Sequence, residues 1–461
     1  MLEKNQIYEV EIIDNGYQGE GIAKIDNFPI FIQGVIKGEQ VEIKILKVLS
    51  NFAYAKILKI IKPSEYRTDA DCSDFPKCGG CNLRHIKYDY TLKVKKAKVE
   101  NCLYKALNRK LKVNDVIGMD NPLNYRNKLQ YPVGLGKDNN PVMGVYSERT
   151  HNIVPVQNCF IQNEECNKIA NKIFKFIKEN NISVYNEQTL KGTVRHIVIR
   201  IGVKTNEVLV TLVVNDNNFK KEKELVEYLT VKYPNIKSVV KNHNTKNTNV
   251  ILGNQNEIIY GKGYIHDILG DYKFKISPLS FYQVNPIQTE ILYGTAIKYA
   301  YADTEHTQKN NIALDLYCGI GTIGIFASKY FKKVYGVEIV EQAIEDAKEN
   351  AKINNVENIE FYAGDVEKVL PQILENIEGN PKVVFVDPPR KGLDNKTIEI
   401  LKTLKPEKIV YISCNPATLA RDLKQLEEKY EIKEVQPVDM FPYTSHVECV
   451  VVLEFKKSID K

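Results

Sequence analysis

The chain lacks any apolar run long enough to span a bilayer, although 43% of its 461 residues are hydrophobic; a membrane-embedded protein is therefore not expected. Its N-terminus, "MLEKNQIYEVEI", lacks the basic-then-apolar layout of a secretory signal, and a cytoplasmic location is the default expectation. It also lacks a strong charge of one sign. With 64 basic and 58 acidic residues the net charge is only +6, so the distribution of charge carries more information than its sum. Nor does it have an even cysteine count. There are nine, unevenly spaced, so a full disulfide framework is excluded, and in a cytosolic chain metal binding or catalysis is the first expectation. No internal repeat is present. The length is too great for one core, and two to four domains are expected.

Three regions are distinguishable by pattern. Residues 1–62 contain alternating stretches broken at Gly or Asn, "QIYEVEIIDN", "GIAKIDNFPIFI" and "EQVEIKILKVLSNFAYAKILKII", which predict a small β-barrel of five or so strands. Its eight Lys are matched by eight Asp/Glu, so basicity alone does not make it a nucleic-acid binder. Residues 63–270 begin with a loop rich in Pro, Cys and Gly. A basic helix follows at about 87–112; from Asn82 to Lys112 there are ten Lys/Arg against two Asp/Glu. Lys95, Lys96 and Lys98 are read as a phosphate-contacting face, and the helix is placed against the third region. Beyond it, "EECNKIANKIFKFIKENN" has helical apolar spacing, "KGTVRHIVIRIGVKTNEVLVTLVVND" reads as a hairpin, and "KNHNTKNTNV" as an Asn-rich loop. Residues 271–461 alternate strands ("NIALDLY", "KVYGVEI", "IEFYAGD", "KVVFVDPP", "KIVYISC") with helices and end in a strand pair. That is the layout of an open, doubly wound α/β sheet. "DTEHTQKNN" before the first of these strands reads as a surface loop.

The chemistry collects at the carboxyl ends of those strands, where an open α/β sheet holds its ligand. "LDLYCGIGTIG" follows a strand and opens a helix, and its glycines allow a ligand close to the backbone. Asp315 lies inside the strand, and Gly319 and Gly321 follow a cysteine, unlike a dinucleotide turn. Glu338 ends the next strand, where an acid grips ribose hydroxyls in NAD and S-adenosylmethionine sites alike. Asp365 follows the third strand, and "DPPR", Asp387 to Arg390, ends the fourth as a rigid turn suited to a flat base. In this order on successive strands the set favours a methyltransferase. The fifth strand ends in "SCNP", which places Cys414 at the same edge. A cysteine after a core strand is ordinarily an inert packing thiol; here the surrounding motifs favour a nucleophile.

Taken together, "DLYCGIG", "SPLSFYQVN", "DPPRKG", "SCNP" and "HVE" resemble the RNA uracil-5-methyltransferases, over nearly the whole chain. "GYQGEGIAKIDNFPIFIQGVIKGEQVEIKI" resembles a TRAM domain, an RNA-binding barrel, and "CSDFPKCGGCNLRH" resembles the cysteine cluster of the branch that modifies 23S ribosomal RNA. The resemblance implies a 4Fe-4S cluster on Cys72, Cys78, Cys81 and Cys159, although four cysteines suit either iron–sulfur or zinc. Cys102, Cys166, Cys318 and Cys449 are left as packing residues. By motif, S-adenosylmethionine is assigned to Gln283, Tyr317, Glu338 and Asp387. Thr322 and Asp365 stand where relatives commonly have Asn, and Tyr443 where some have His. Cys414 is assigned as the nucleophile that adds to uracil C6, favoured as a thiolate by an exposed helix N-terminus. Glu448 is assigned as the base that removes the C5 proton. Asp387 or Arg390 is expected to polarise the base or hold a phosphate.

The implied partner is 23S ribosomal RNA, with no obligate protein partner. Three alternatives remain. A transfer-RNA T-loop uracil methyltransferase shares the core, and the barrel and cysteine loop are read as arguing against it. A methyltransferase of exocyclic amines would use the Pro-Pro turn without Cys414 and Glu448. A non-catalytic RNA-binding factor would keep neither residue.

Overall fold

The computed structural model describes residues 2–148, 150–301, 311–377 and 379–456. The loop read from "DTEHTQKNN" lies almost wholly outside the described residues.

The N-terminal strands are β1 (Ile7–Glu11), β2 (Asp14–Asn15), β3 (Gly21–Ile25), β4 (Phe28–Ile32), β5 (Gln40–Val48) and β6 (Ala53–Lys62). They form one six-stranded sheet in the order β1-β5-β6-β4-β3-β2. Alternate Val, Ile and Ala of β3 to β6 point inward onto a dry core of Ile30, Ile32, Val41, Ile43 and Ile45. The sixth strand beyond the expected five is β2, too short at two residues to leave a hydropathy pattern.

Helix α1 (Tyr88–Leu107) is the basic helix, and it corrects the expectation that Lys95 contacts phosphate. Val99, Leu103 and Leu107 enter the core of the C-terminal sheet. Lys95 is 1% exposed and its ammonium meets buried Asp439 at 2.5 Å. Lys98 donates to the Ser445 carbonyl at 2.7 Å, and Lys96 pairs with Asp115 at 2.7 Å. Fully buried and paired, Lys95 cannot reach a phosphate. The helix packs against the C-terminal region as placed, through Val99, Leu103 and Leu107.

The central strands are β7 (Lys128–Leu135), β8 (Pro141–Tyr146), β9 (Ile153–Pro155), β10 (Val194–Ile201), β11 (Val208–Val214), β12 (Ile236–His243) and β13 (Gln255–Gly261), in the order β13-β12-β11-β10-β7-β8-β9. The expected hairpin is β10 against β11, and the expected helix is α2 (Glu164–Glu179), capped by the Asn163 side chain. With α3 (Glu222–Thr230) it covers one face. The Asn-rich segment is partly strand. β12 runs to His243, and the buried Asn242 amide donates to the Gly253 carbonyl at 2.8 Å while accepting from Gly253 N at 2.7 Å. Tertiary pairing here overrides a turn-like composition.

A hairpin, β14 (Ile265–Leu269) and β15 (Tyr272–Ile276), and helix α4 (Pro286–Tyr301) lead into the last sheet. Its strands are β16 (Ile312–Leu316), β17 (Lys333–Glu338), β18 (Ile359–Ala363), β19 (Val383–Val386), β20 (Lys408–Ser413), β21 (Tyr430–Val438) and β22 (Glu448–Phe455). The crossover helices are α5 (Thr322–Ser328), α6 (Glu341–Ile353), α7 (Val366–Asn376) and α8 (Asn395–Leu404), with α9 (Pro416–Leu426) after β20. The order β18-β17-β16-β19-β20-β22-β21 reverses between β16 and β19. The first five strands are parallel and β22 runs antiparallel beside β20. This is the doubly wound sheet expected, and the reversal opens a crevice at the carboxyl ends. Among the described residues no helix is long and apolar enough to cross a membrane.

Candidate active site

The crevice is a cavity of about 710 Å3, within the range of ligand pockets. Gln283, Tyr317, Glu338 and Asp387 line it, as do Cys414 and Glu448, so all six residues singled out by motif meet in one space. Thr322, Asp365 and Arg390 line it too.

One end is built by the β16 turn. Gly319 takes a φ of 55° and Gly321 a φ of 80°, left-handed values that favour glycine. A side chain at Gly321 would also strike the Phe361 ring at 2.6 Å. Glu338 is held by this turn: one carboxylate oxygen accepts from Gly319 N at 3.2 Å, the other from Val340 N at 3.0 Å. Each oxygen keeps a second lone pair for a ligand hydroxyl. Buried Asp315 accepts from Gly324 N at 2.7 Å and its other oxygen is unpartnered, so burial pushes its pKa up to about 8.

The other end is set by strand register. Ser413 pairs with Cys449 across β20 and β22. Continuing that antiparallel ladder by one residue brings Cys414 opposite Glu448. After Cys414 the Asn415 side chain caps α9 by accepting from Ala417 N at 3.1 Å. Its amide donates to the Arg390 carbonyl at 3.1 Å, which Thr418 also reaches at 3.2 Å. The Cys414 turn and the Pro-Pro turn are thereby stitched together.

Burial dominates the electrostatics. It pushes Glu448, 4% exposed, up to about 8, with Asp387 adding repulsion and Arg390 opposing. It pushes Asp387 up to about 7. The Cys414 thiol is pushed up to about 12 by burial, then by Glu448 and Asp387, against the pull of Arg390. The expected resting thiolate is therefore corrected: desolvation and two nearby carboxyls outweigh the helix N-terminus.

Several lining residues escaped the sequence reading. Arg126 and exposed Phe281 line this cavity. His446, inside the "HVE" motif, is held neutral, its pKa lowered to about 4 by burial and by Arg390 and Lys98. Arg126 follows a Tyr in "NYRNK", a stretch whose pattern marks only a strand start.

Cys72, Cys78, Cys81 and Cys159 line another cavity, of about 410 Å3, with Val145, Val156 and Ile161, and it shares Arg126, Arg390, Phe441 and His446 with the first. All nine cysteines are free thiols. Burial raises Cys78 to about 11 and Cys81 to about 12, and mutual repulsion among the four adds to both. Among the described residues no group of three or more His, Cys, Asp or Glu side chains could hold a metal ion. Cys166, Cys318 and Cys449 are buried in apolar cores, and Cys102 is partly buried against one, as packing residues should be.

Two family profiles match the chain: tRNA (Uracil-5-)-methyltransferase over residues 87–456 and TRAM domain over residues 2–58. An uncharacterized RNA methyltransferase of Clostridium acetobutylicum is 47% identical, covering 100% of this chain and 99% of its own. One from Staphylococcus aureus is 45% identical over 99% of both. Among solved structures, the Pyrococcus abyssi tRNA (uracil-54, C5)-methyltransferase in complex with S-adenosyl-L-homocysteine superposes with a TM-score of 0.77. It is 28% identical and covers 97% of this chain and 100% of that one. The chain thus belongs to the tRNA (uracil-5-)-methyltransferase family, with a TRAM domain at its N-terminus.

Proposed function

We propose that the protein methylates C5 of a uridine in 23S ribosomal RNA, using S-adenosylmethionine and a covalent cysteine adduct. The observation that carries the chemistry is the register that sets Cys414 across from Glu448, in the cavity that Glu338, Tyr317, Gln283 and Asp387 also line. Uracil C5 is a weak nucleophile. The Cys414 thiol gives its proton to solvent, Sγ adds to C6, and the ring becomes an enolate whose C5 displaces the methyl group from the sulfonium, releasing S-adenosylhomocysteine. Arg390, the cation that opposes the rise of the Cys414 pKa, lowers the cost of ionising the thiol. Glu448, in its ionised form, takes the C5 proton. The C6–S bond then breaks and restores the thiolate. The reading divides the chain into an RNA-binding barrel (1–62), a central RNA-binding unit with the cysteine loop (63–270) and the methyltransferase unit (271–461).

The same reading gives Cys72, Cys78, Cys81 and Cys159 a 4Fe-4S cluster. Four free thiols line one cavity, a donor set that suits iron–sulfur or zinc, and the likeness of the cysteine loop to the ribosomal branch favours the cluster. When bound it would tie the cysteine loop to the Cys159 segment and ionise thiols that burial otherwise keeps protonated.

Transfer RNA is the competing substrate. The barrel does not discriminate, because a match covering 97% of this chain includes most of it and the matched protein acts on tRNA. The cysteine loop supports the ribosomal target. Mass mapping of 5-methyluridine in a deletion strain tests it: loss from 23S RNA with an intact T-loop is expected, and loss from the T-loop would overturn the ribosomal assignment.

A further inference from the structure

A second cavity, of about 530 Å3, also reaches Cys414. It shares Cys414, Arg390 and His446 with the first, but none of Gln283, Tyr317, Glu338 and Asp387 lines it. The barrel contributes Tyr17, Gln18 and Gln33 to its lining, together with Asn82 and Lys98. A uridine turned into the first cavity would leave its neighbour in the chain at the mouth of this second one.

Tyr17 sits on the loop between β2 and β3 and is 43% exposed. An exposed aromatic side chain is ordinarily free to rotate, yet this one is fixed. Its hydroxyl donates to Asn415 Oδ1 at 2.6 Å, on the residue after Cys414. The Lys98 ammonium lies 3.9 Å from the ring centroid, a cation–π contact on one face. The loop backbone is anchored as well, since Asn82 Nδ2 donates to the Gln18 carbonyl at 2.5 Å. A ring covered on one face and exposed beside a cavity has its other face available.

We propose that Tyr17 is a stacking platform for the unpaired nucleobase next to the target uridine, so that the barrel helps to read the target as well as to hold RNA. Base–aromatic stacking tolerates any base and is a recurrent device for single-stranded nucleic acid. The bond from Tyr17 to Asn415 sets the ring beside the Cys414 turn. The proposal rests on the RNA methyltransferase reading above.

The test is a coupling experiment on an oligoribonucleotide spanning the uridine that mass mapping identifies, with versions abasic at the preceding or following position. Tyr17→Ala should lower kcat/KM roughly ten- to a hundredfold, the size of one lost stack. Tyr17→Phe should keep most of the activity, since the ring remains. Removing one flanking base should cost the wild type a similar factor but leave Tyr17→Ala nearly unaffected. Penalties that multiply for both flanking positions, or a Phe variant as impaired as the Ala variant, would overturn the stacking site while leaving the methyltransferase reading intact. A wild-type protein that methylates no RNA would overturn both.

Discussion

Replacing Lys95 by Met should destabilise the protein far more than loss of a surface lysine does. The Lys95 and Asp439 side chains are 1% and 0% exposed. Removing the cation strands a buried carboxylate, which typically costs about 3–5 kcal/mol. Asp439 keeps the Tyr88 hydroxyl at 2.9 Å and Phe441 N at 3.2 Å, and Met fills much of the volume, so the lower end, about 3 kcal/mol, is expected. With a urea slope of about 1–3 kcal/mol per molar, the midpoint should fall by about 1 M or more. The double variant Lys95→Met/Asp439→Leu should recover only part of that loss, because it removes the stranded charge but leaves the Tyr88 hydroxyl and Phe441 N without their acceptor. Activity should fall with stability in the single variant, since Asp439 anchors the segment carrying Phe441, His446 and Glu448. A loss below about 1 kcal/mol, the size of an exposed pair, or a double variant worse than the single, would refute the reasoning.

Turnover should rise with pH between about 6 and 8. The Glu448 pKa is raised to about 8, so at pH 6 only about one molecule in a hundred holds the ionised form that accepts a proton. A kcat profile flat from pH 6 to 8 would contradict the role. Protein purified without oxygen should be brown and carry about four irons per chain, and Cys78→Ser or Cys159→Ser should remove the colour; one tightly held zinc in a colourless protein would contradict the cluster.

The doubly wound sheet was legible because β16 to β20 are continuous apolar runs, each ending in a turn motif. The site residues were legible for the same reason, since a parallel sheet sends every such turn to one edge. The pairing of Cys414 with Glu448 was assigned by resemblance alone. Its geometric cause, the antiparallel register of β20 and β22, depends on how two non-neighbouring strands align and leaves no local signal. The basic helix misled because a sequence count treats buried Lys95 and an exposed lysine alike. Tyr17 was invisible because its meaning comes from Asn415, 398 residues away. The lowered acidity of the Cys414 thiol was missed for a related reason: the helix N-terminus is read locally, while the carboxyls of Asp387 and Glu448 arrive from other strands.

The central claim is a covalent adduct formed by Cys414 and resolved by Glu448, and it is tested most directly by incubating RNA with S-adenosylmethionine labelled in its methyl group. Glu448→Gln keeps the thiol and the methyl transfer but not the base, whose removal typically costs about a hundred- to ten-thousandfold in rate. The account expects a labelled enzyme–RNA band that survives denaturing electrophoresis in this variant, and none with Cys414→Ala. Normal turnover by Glu448→Gln, or a labelled band with Cys414→Ala, would contradict it.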